Sequence, residues 1–253
     1  MDKLSCYILT KNSEKYLANI LEQISNISDE IIIIDSGSLD KTEEIAKQFS
    51  VKFIFNEFNN FKSQREFAIS KCKYDFVLCF DDDEIPNQKL IDSIKTEKEL
   101  GFRFDAYRIA RYWNVLGQDV KVIYPIISPD FPIRLYNQTI LSFANSNIIH
   151  ETPSGQRNEA VLDGLIRHIT FETSSELESK LETYSEIASQ DIINRGKKSN
   201  IFKIIFSPIS AFIKWYFIKG GFRDGLIGLK LAFYSFNYSL KKYQKARFKI
   251  ANN

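Results

Sequence analysis

Residues 30–42 read EIIIIDSGSLDKT. Four consecutive isoleucines leave no polar position for a half-exposed strand, so a strand here must be covered on both faces. The apolar run stops at Asp35, and the small polar residues Ser36-Gly37-Ser38 follow. Leu39-Asp40-Lys41-Thr42 then opens a helix to about residue 49, with Asp40 placed as its N-cap. A doubly covered strand that turns directly into a helix is the building unit of parallel α/β sheets. Its polar turn lies at the carboxyl end of the strand, the edge where such sheets bind ligands.

The unit recurs on both sides. Leu4–Leu9 is a short apolar run followed by a helical pattern over 13–25, and Val51–Phe55 is a strand followed by a helix over Phe61–Lys71. Asp75–Phe80 is a fourth strand, and Asn87–Leu100 a helix bounded by Pro86 and Gly101. Polar groups therefore collect at three strand ends: Thr10-Lys11-Asn12, Asp35–Ser38 and Asp81–Glu84. Beyond residue 101 the pattern changes to shorter, mixed strands at Ala106–Tyr112, Val120–Ile123, Arg134–Tyr136 and Leu162–Thr170, then a polar helix over 174–195. The 253 residues, 44% apolar and 26% charged, suit one large domain or one domain with an appendage.

The fourth strand runs straight into four carboxylates, FVLCFDDDEIP over residues 76–86. Such a cluster at a strand end is a hard-oxygen site, suited to Mg²⁺ or Mn²⁺. Strand alternation would aim Asp81 and Asp83 the same way, with Asp82 turned aside. The competing reading is a solvated acidic loop that caps the next helix.

Taken together, YILTKNSEKYL (residues 7–17), IIIIDSGSLDKTEEIA (31–46) and DFVLCFDDDEIP (75–86) resemble the three successive motifs of inverting GT-A glycosyltransferases. RLY, IIHE and GGFRDGLIGLKLAFY extend the resemblance to the bacterial branch that contains lipopolysaccharide inner-core β-1,4-glucosyltransferases. It implies an α/β fold of GT-A type, Rossmann-like, with a mixed, mostly parallel sheet flanked by helices and a C-terminal amphipathic helical extension. Residues 1–195 would form the catalytic domain, with 1–100 holding the nucleotide sugar and 101–195 the acceptor; residues 196–253 would form the extension.

The resemblance also implies roles. Thr10, Asn12, Glu14, Asp35 and Ser36 match the nucleotide-binding motifs, Arg65 a basic position near the donor, and Asp81 with Asp82 the donor side of the DxD motif. Asp81 and Asp83 match its two metal ligands, and His168 the later histidine that completes the metal shell. Arg65 reads equally as an exposed helix arginine, and His168 as a hydrogen-bonded core residue. Inversion is a single displacement that needs a base for the acceptor hydroxyl, and Glu151 in NIIHETP matches that position, with His150 as its orienting neighbour. Arg134 could hold a diphosphate or an acidic acceptor through its planar fork. The implied donor is a UDP-sugar, with UDP-glucose the leading candidate, and the acceptor a lipopolysaccharide core, related glycolipid or oligosaccharide, the alternative being a polyprenyl-phosphate-linked or capsule acceptor.

Cys6, Cys72 and Cys79 have no metal-like spacing and read as buried thiols of a reducing compartment. Residues 195–253 carry thirteen Lys or Arg against the single acid Asp224, a net of +12 that leaves −10 for the rest. That imbalance points to an anionic surface: the cytoplasmic face of the inner membrane, with nucleic-acid binding as a different class of explanation. A helix is expected over about Pro208–Lys219, too short to span a bilayer, and no uncharged apolar stretch of about 18 residues is apparent. A cytoplasmic, peripheral enzyme is expected, without nucleic acid as partner and with a homodimer left open.

Overall fold

The computed structural model describes residues 2–144, 152–196 and 199–252. The chain forms two compact units, Met1–Arg111 with Phe131–His168, and Tyr112–Asp130 with Ile169–Asn253. This division into compact units does not fall at residue 195. The polar helix 174–194 falls in the C-terminal unit, where it packs along the last helix of the chain.

In chain order the first unit begins with β1 (Leu4–Thr10), α1 (Leu17–Ile24), β2 (Glu30–Asp35), α2 (Thr42–Ala46) and β3 (Lys52–Phe55). It continues with α3 (Phe61–Lys71), β4 (Phe76–Asp81), β5 (Glu84–Pro86) and α4 (Gln88–Glu99). The remaining strands are β6 (Ala106–Val115), β7 (Gln118–Val120), β8 (Val122–Ile123), β9 (Ile126–Ile127), β10 (Ile133–Asn137) and β11 (Glu159–Phe171). Strand order in the main sheet is β3-β2-β1-β4-β10-β6-β11-β5. β3, β2, β1 and β4 are mutually parallel, whereas β10 is antiparallel to both β4 and β6.

The isoleucine run behaves as its composition requires. Ile31 and Ile33 pack into a core with Cys6, Ile8, Leu78 and Phe80, while Ile32 and Ile34 pack into another with Tyr7, Leu9, Val77 and Cys79. Successive side chains thus enter opposite faces of the sheet, and both faces are dry. Register decides where the site lies: Thr10 is paired with Asp35 across β1–β2, and Leu9 with Asp81 across β1–β4. The three polar strand ends therefore meet on one edge.

A second register brings a distant strand to that edge. β11 pairs antiparallel with β5, placing His168 opposite Glu84. Asn87 anchors this pairing: its side-chain oxygen accepts the Leu90 N–H, capping α4, and the Leu165 N–H, both at 3.0 Å. Gly164 makes the approach possible, since a Cβ there would lie 2.2 Å from the Leu90 nitrogen and its φ is +96°.

The C-terminal unit contains the end of β6 from Tyr112 with β7, the small β8–β9 pair, α5 (Ser174–Asn194), α6 (Ile201–Ile213) and α7 (Gly225–Asn252). α6 continues through a π-helical turn, Lys214–Ile218, and a 3₁₀ turn, Gly221–Asp224, precedes α7. α6 starts earlier than the expected Pro208 because Asn200 is its cap, with its side chain accepting the Lys203 N–H at 3.0 Å; Pro208 lies inside the helix. The helical run Ile201–Ile218, which includes Lys203 and Lys214, is by length and composition long and apolar enough to cross a membrane, so the helix is longer than the Pro208–Lys219 segment expected to be too short to span. The basic tail is also less available than its charge suggests. Lys245 pairs with Glu182 at 2.9 Å and Lys249 with Glu186 at 2.6 Å, and Lys241 also bonds Glu182, so acids of α5 offset part of the +12.

Candidate active site

The first two motifs are stitched to each other. Thr10 Oγ1 donates to Asp35 Oδ1 at 2.9 Å, and the Asp35 carboxylate also accepts the Gly37 and Ser38 N–H groups and the Ser38 hydroxyl. Four donors hold one buried carboxylate, so Asp35 shapes the turn after β2. Gly37, at φ +90°, adopts the left-handed conformation that this turn needs. Asn12, itself left-handed at φ 55°, donates its N–H to Ser38 Oγ and accepts the Leu39 N–H, both at 2.8 Å. Glu14 accepts the Lys41 N–H at 3.1 Å, while Asp40 accepts the N–H groups of Glu14 and Thr42. Asp40 thus holds the first turn of α2 as a cap would, although Lys41 is the residue preceding Thr42. Ser36 donates its N–H to the Thr10 carbonyl and accepts a bond from Gln64.

The end of β4 carries a buried ionic cluster. Arg65, 2% exposed and so not the exposed helix residue its sequence context allows, donates through Nη2 to Asp81 Oδ1 at 2.8 Å and Oδ2 at 3.1 Å. Arg134 Nη2 donates to Asp81 Oδ2 at 2.9 Å and to Glu84 Oε1 at 2.5 Å, and Arg111 Nη1 reaches the same Glu84 oxygen at 2.8 Å. Burial by itself would raise both carboxyl pKa values. Arg65 and then Arg134 overcome this at Asp81, and Arg134 at Glu84, holding each below the usual carboxylate range. The charges of Asp81 and Glu84 are thus met by guanidiniums within the protein. Arg134 is thus committed to holding acids within the protein, and its buried Nε has no hydrogen-bond partner among the described residues.

The remaining two aspartates point elsewhere. β4 ends at Asp81, and Asp82-Asp83 form the turn into β5, so strand alternation stops applying at the position where it was expected to pair Asp81 with Asp83. Asp82 accepts a hydrogen bond from the Ser13 hydroxyl, and Ser13 in turn accepts the Lys11 N–H at 3.0 Å. Burial, reinforced by neighbouring Asp83, pushes the Asp82 carboxyl up to about 6. Asp83 Oδ2 lies 3.1 Å from His168 Nε2. Burial would lower the His168 pKa, but Asp83 reverses this and raises it.

Among the described residues no group of three His, Cys, Asp or Glu side chains converges as a metal cage. The Asp83–His168 pair does fit a divalent ion, since one carboxylate and one imidazole suit Mn²⁺ and leave positions for phosphate oxygens. Asp81, with both oxygens on guanidiniums, fits that role less well. Glu151 and His150 lie outside the described residues. Thr152 and Pro153, which follow Glu151 in sequence, line a small cavity together with Arg65, Cys79, Arg134 and Phe143. Thiol chemistry has no support here: burial raises all three cysteine pKa values, that of Cys72 to about 12.

Sequence reasoning missed Glu84, Arg111 and Ser13. Glu84 was visible as the fourth acid of the run. Arg111 had no signal, since it is one arginine in a long strand that reaches the site through strand order alone.

The sequence profile of Glycosyl transferase family 2 matches residues 5–154, which include all three strand-end motifs. A glycosyltransferase of uncharacterised specificity from Rickettsia typhi is 31% identical over 90% of this chain and 81% of its own length. The lipopolysaccharide core biosynthesis glycosyltransferase LpsC of Rhizobium meliloti is 25% identical over 99% of this chain and 95% of its own. The chain belongs to glycosyl transferase family 2, and the sheet described above is its GT-A fold.

Proposed function

We propose that this glycosyltransferase inverts configuration while moving a hexose, glucose from UDP-glucose being the leading candidate, onto a lipopolysaccharide core sugar or related glycolipid at the cytoplasmic face of the inner membrane. The observation that carries the reading is the placement of the Asp83–His168 pair beside the Arg65–Asp81–Arg134–Glu84 cluster at the carboxyl ends of β1, β2 and β4. A nucleoside diphosphate needs cationic compensation there and a polar cradle for its nucleoside, and the Thr10–Ser38 loops supply the cradle. Thr10, Asn12, Glu14, Asp35 and Ser36 build these loops, so they act on the donor chiefly by fixing loop shape.

Asp83 and His168 would hold Mg²⁺ or Mn²⁺, which when bound supplies positive charge to the leaving diphosphate. Asp81 anchors the strand end through Arg65 and Arg134, and Asp82 is held by Ser13. In the transfer, the acceptor hydroxyl oxygen bonds to the anomeric carbon while the bond to the diphosphate oxygen breaks. Glu151 takes the hydroxyl proton. The cavity formed by its sequence neighbours Thr152 and Pro153 with Arg65 and Arg134 supports that role. The name of the Rhizobium relative supports the lipopolysaccharide acceptor.

The test is a hydrolysis and transfer screen over UDP-, GDP- and dTDP-sugars with Mg²⁺, Mn²⁺ or chelator. UDP-glucose with metal should give the highest rate. Glu151→Gln should retain donor binding and lose transfer, and near-normal turnover in that variant would remove Glu151 from the base role.

A further inference from the structure

We propose that α6 and its π-turn continuation form a membrane-docking element that lies flat on an anionic lipid bilayer, with one helix face immersed at the headgroup boundary. For a helix in water, α6 is inside out. Its covered stripe includes Ser207, Pro208, Ala211 and Trp215, and it runs antiparallel along α7: the Ser199 hydroxyl donates to the Tyr243 carbonyl at 2.7 Å, and the Phe212 and Phe233 rings are 5.0 Å apart. The opposite stripe is the more apolar one. Phe202, Ile205, Phe206, Ile209, Ile213 and Phe217 recur at helical spacing and are 44–67% exposed. A contiguous ridge of this kind marks an interaction surface rather than scattered surface hydrophobes.

Charge selects the occupant. Residues 201–223 contain Lys203, Lys214, Lys219 and Arg223 and no Asp or Glu. Two copies of such a ridge would bring like charges together, whereas anionic lipid headgroups complement them.

Packing selects the orientation. By length and composition Ile201–Ile218 could cross a bilayer. Yet α7, packed along it, carries Lys230, Lys241, Lys242, Lys245 and Arg247, and α5 packs on α7 with Glu182 and Glu186. A crossing would pull those charges into hydrocarbon, where each is costly. Lying flat immerses the Ile/Phe ridge and leaves α7 and α5 on the aqueous side.

The experiment is flotation of the full chain with phosphatidylcholine vesicles, with and without phosphatidylglycerol, and it needs no enzymatic turnover. It therefore succeeds or fails independently of the proposed reaction. Wild type should float with the mixed vesicles, more weakly with phosphatidylcholine alone, and be released by alkaline carbonate. Phe206→Glu/Ile213→Glu should lower the bound fraction at least about tenfold with an unchanged circular dichroism spectrum. Lys214→Glu/Lys219→Glu, which spares the apolar ridge, should abolish the preference for phosphatidylglycerol, and it decides the matter if the first variant fails to fold. Failure of wild type to float, equal flotation of the folded glutamate variant, or unchanged lipid preference in the lysine variant would each overturn the proposal. So would retention through the carbonate wash, which indicates a span, or a dimer by light scattering that the glutamate variant dissolves, which indicates a second copy.

Discussion

Arg134 and Glu84 meet at 2.5 Å with side chains 7% and 0% exposed. Neither residue touches bulk water enough to recover hydration if the other is lost. Their pairing is therefore a condition of the fold around the DxD turn, where Glu84 also accepts the Asp81 N–H.

Glu84→Gln should accordingly lower unfolding stability by about 3–5 kcal/mol, because it leaves two buried guanidiniums short of negative charge. Urea midpoints measure it. Adding Arg134→Met should cost less than the two single changes summed, since the residues share one interaction. Strict additivity would mean that the pair is not coupled.

Asp83 and Asp81 should separate by phenotype. His168→Ala and Asp83→Asn should weaken Mn²⁺ binding by at least about tenfold in titration calorimetry. Asp81→Asn strands the buried Arg65 and should show chiefly as lost stability. Sugar transfer that persists undiminished in excess chelator would eliminate the metal assignment altogether.

Asn12 holds a left-handed backbone and a cross-loop hydrogen bond at once. Asn12→Ala loses both and should cost about 1–2 kcal/mol. Asn12→Gly keeps the backbone conformation, so it should be less destabilised, yet it lacks the bond to Leu39. Both variants should raise the KM for donor, and thermal melts with donor saturation curves distinguish them. An alanine variant as stable as the glycine variant would show that the φ value is not limiting.

Acid sensitivity follows from Glu30. Burial would raise its pKa, but hydrogen bonds from Lys52, the Lys73 N–H and the Ser5 hydroxyl bring it below the ordinary value. A depressed folded pKa gives stability that is present above the unfolded value, about 4.3, and lost as pH falls through the folded one. The Glu30 contribution should therefore be fully present above about pH 5 and be lost toward pH 3, read as the difference in urea midpoint between wild type and Glu30→Gln at each pH. An identical pH profile in the variant would remove Glu30 as a contributor.

Much of the scaffold could be read from local pattern. Strand β2 extends one residue beyond its isoleucine run at each end, and helix α3 covers the expected Phe61–Lys71, because apolar runs and caps are properties of neighbouring residues. Where a rule depends on an element continuing, the reading failed. Alternation could not place Asp83, because the strand stops at Asp81. Proline at 208 could not start α6, because Asn200 had already supplied a cap to the Lys203 N–H. The tail's charge excess could not show that Lys245 and Lys249 meet Glu182 and Glu186, some sixty residues away.

The amino-acid sequence alone determined the parallel strand–helix units, the meeting of three polar motifs at strand ends and membership of the family, since each rests on residue order over short spans. Tertiary structure decided which charges neutralise which. Arg65, Arg111 and Arg134 come from a helix and two strands remote in sequence, and only sheet order and register bring them to Asp81 and Glu84. Coulomb energy depends on distances of a few ångströms in a dry interior, and no local pattern encodes those distances.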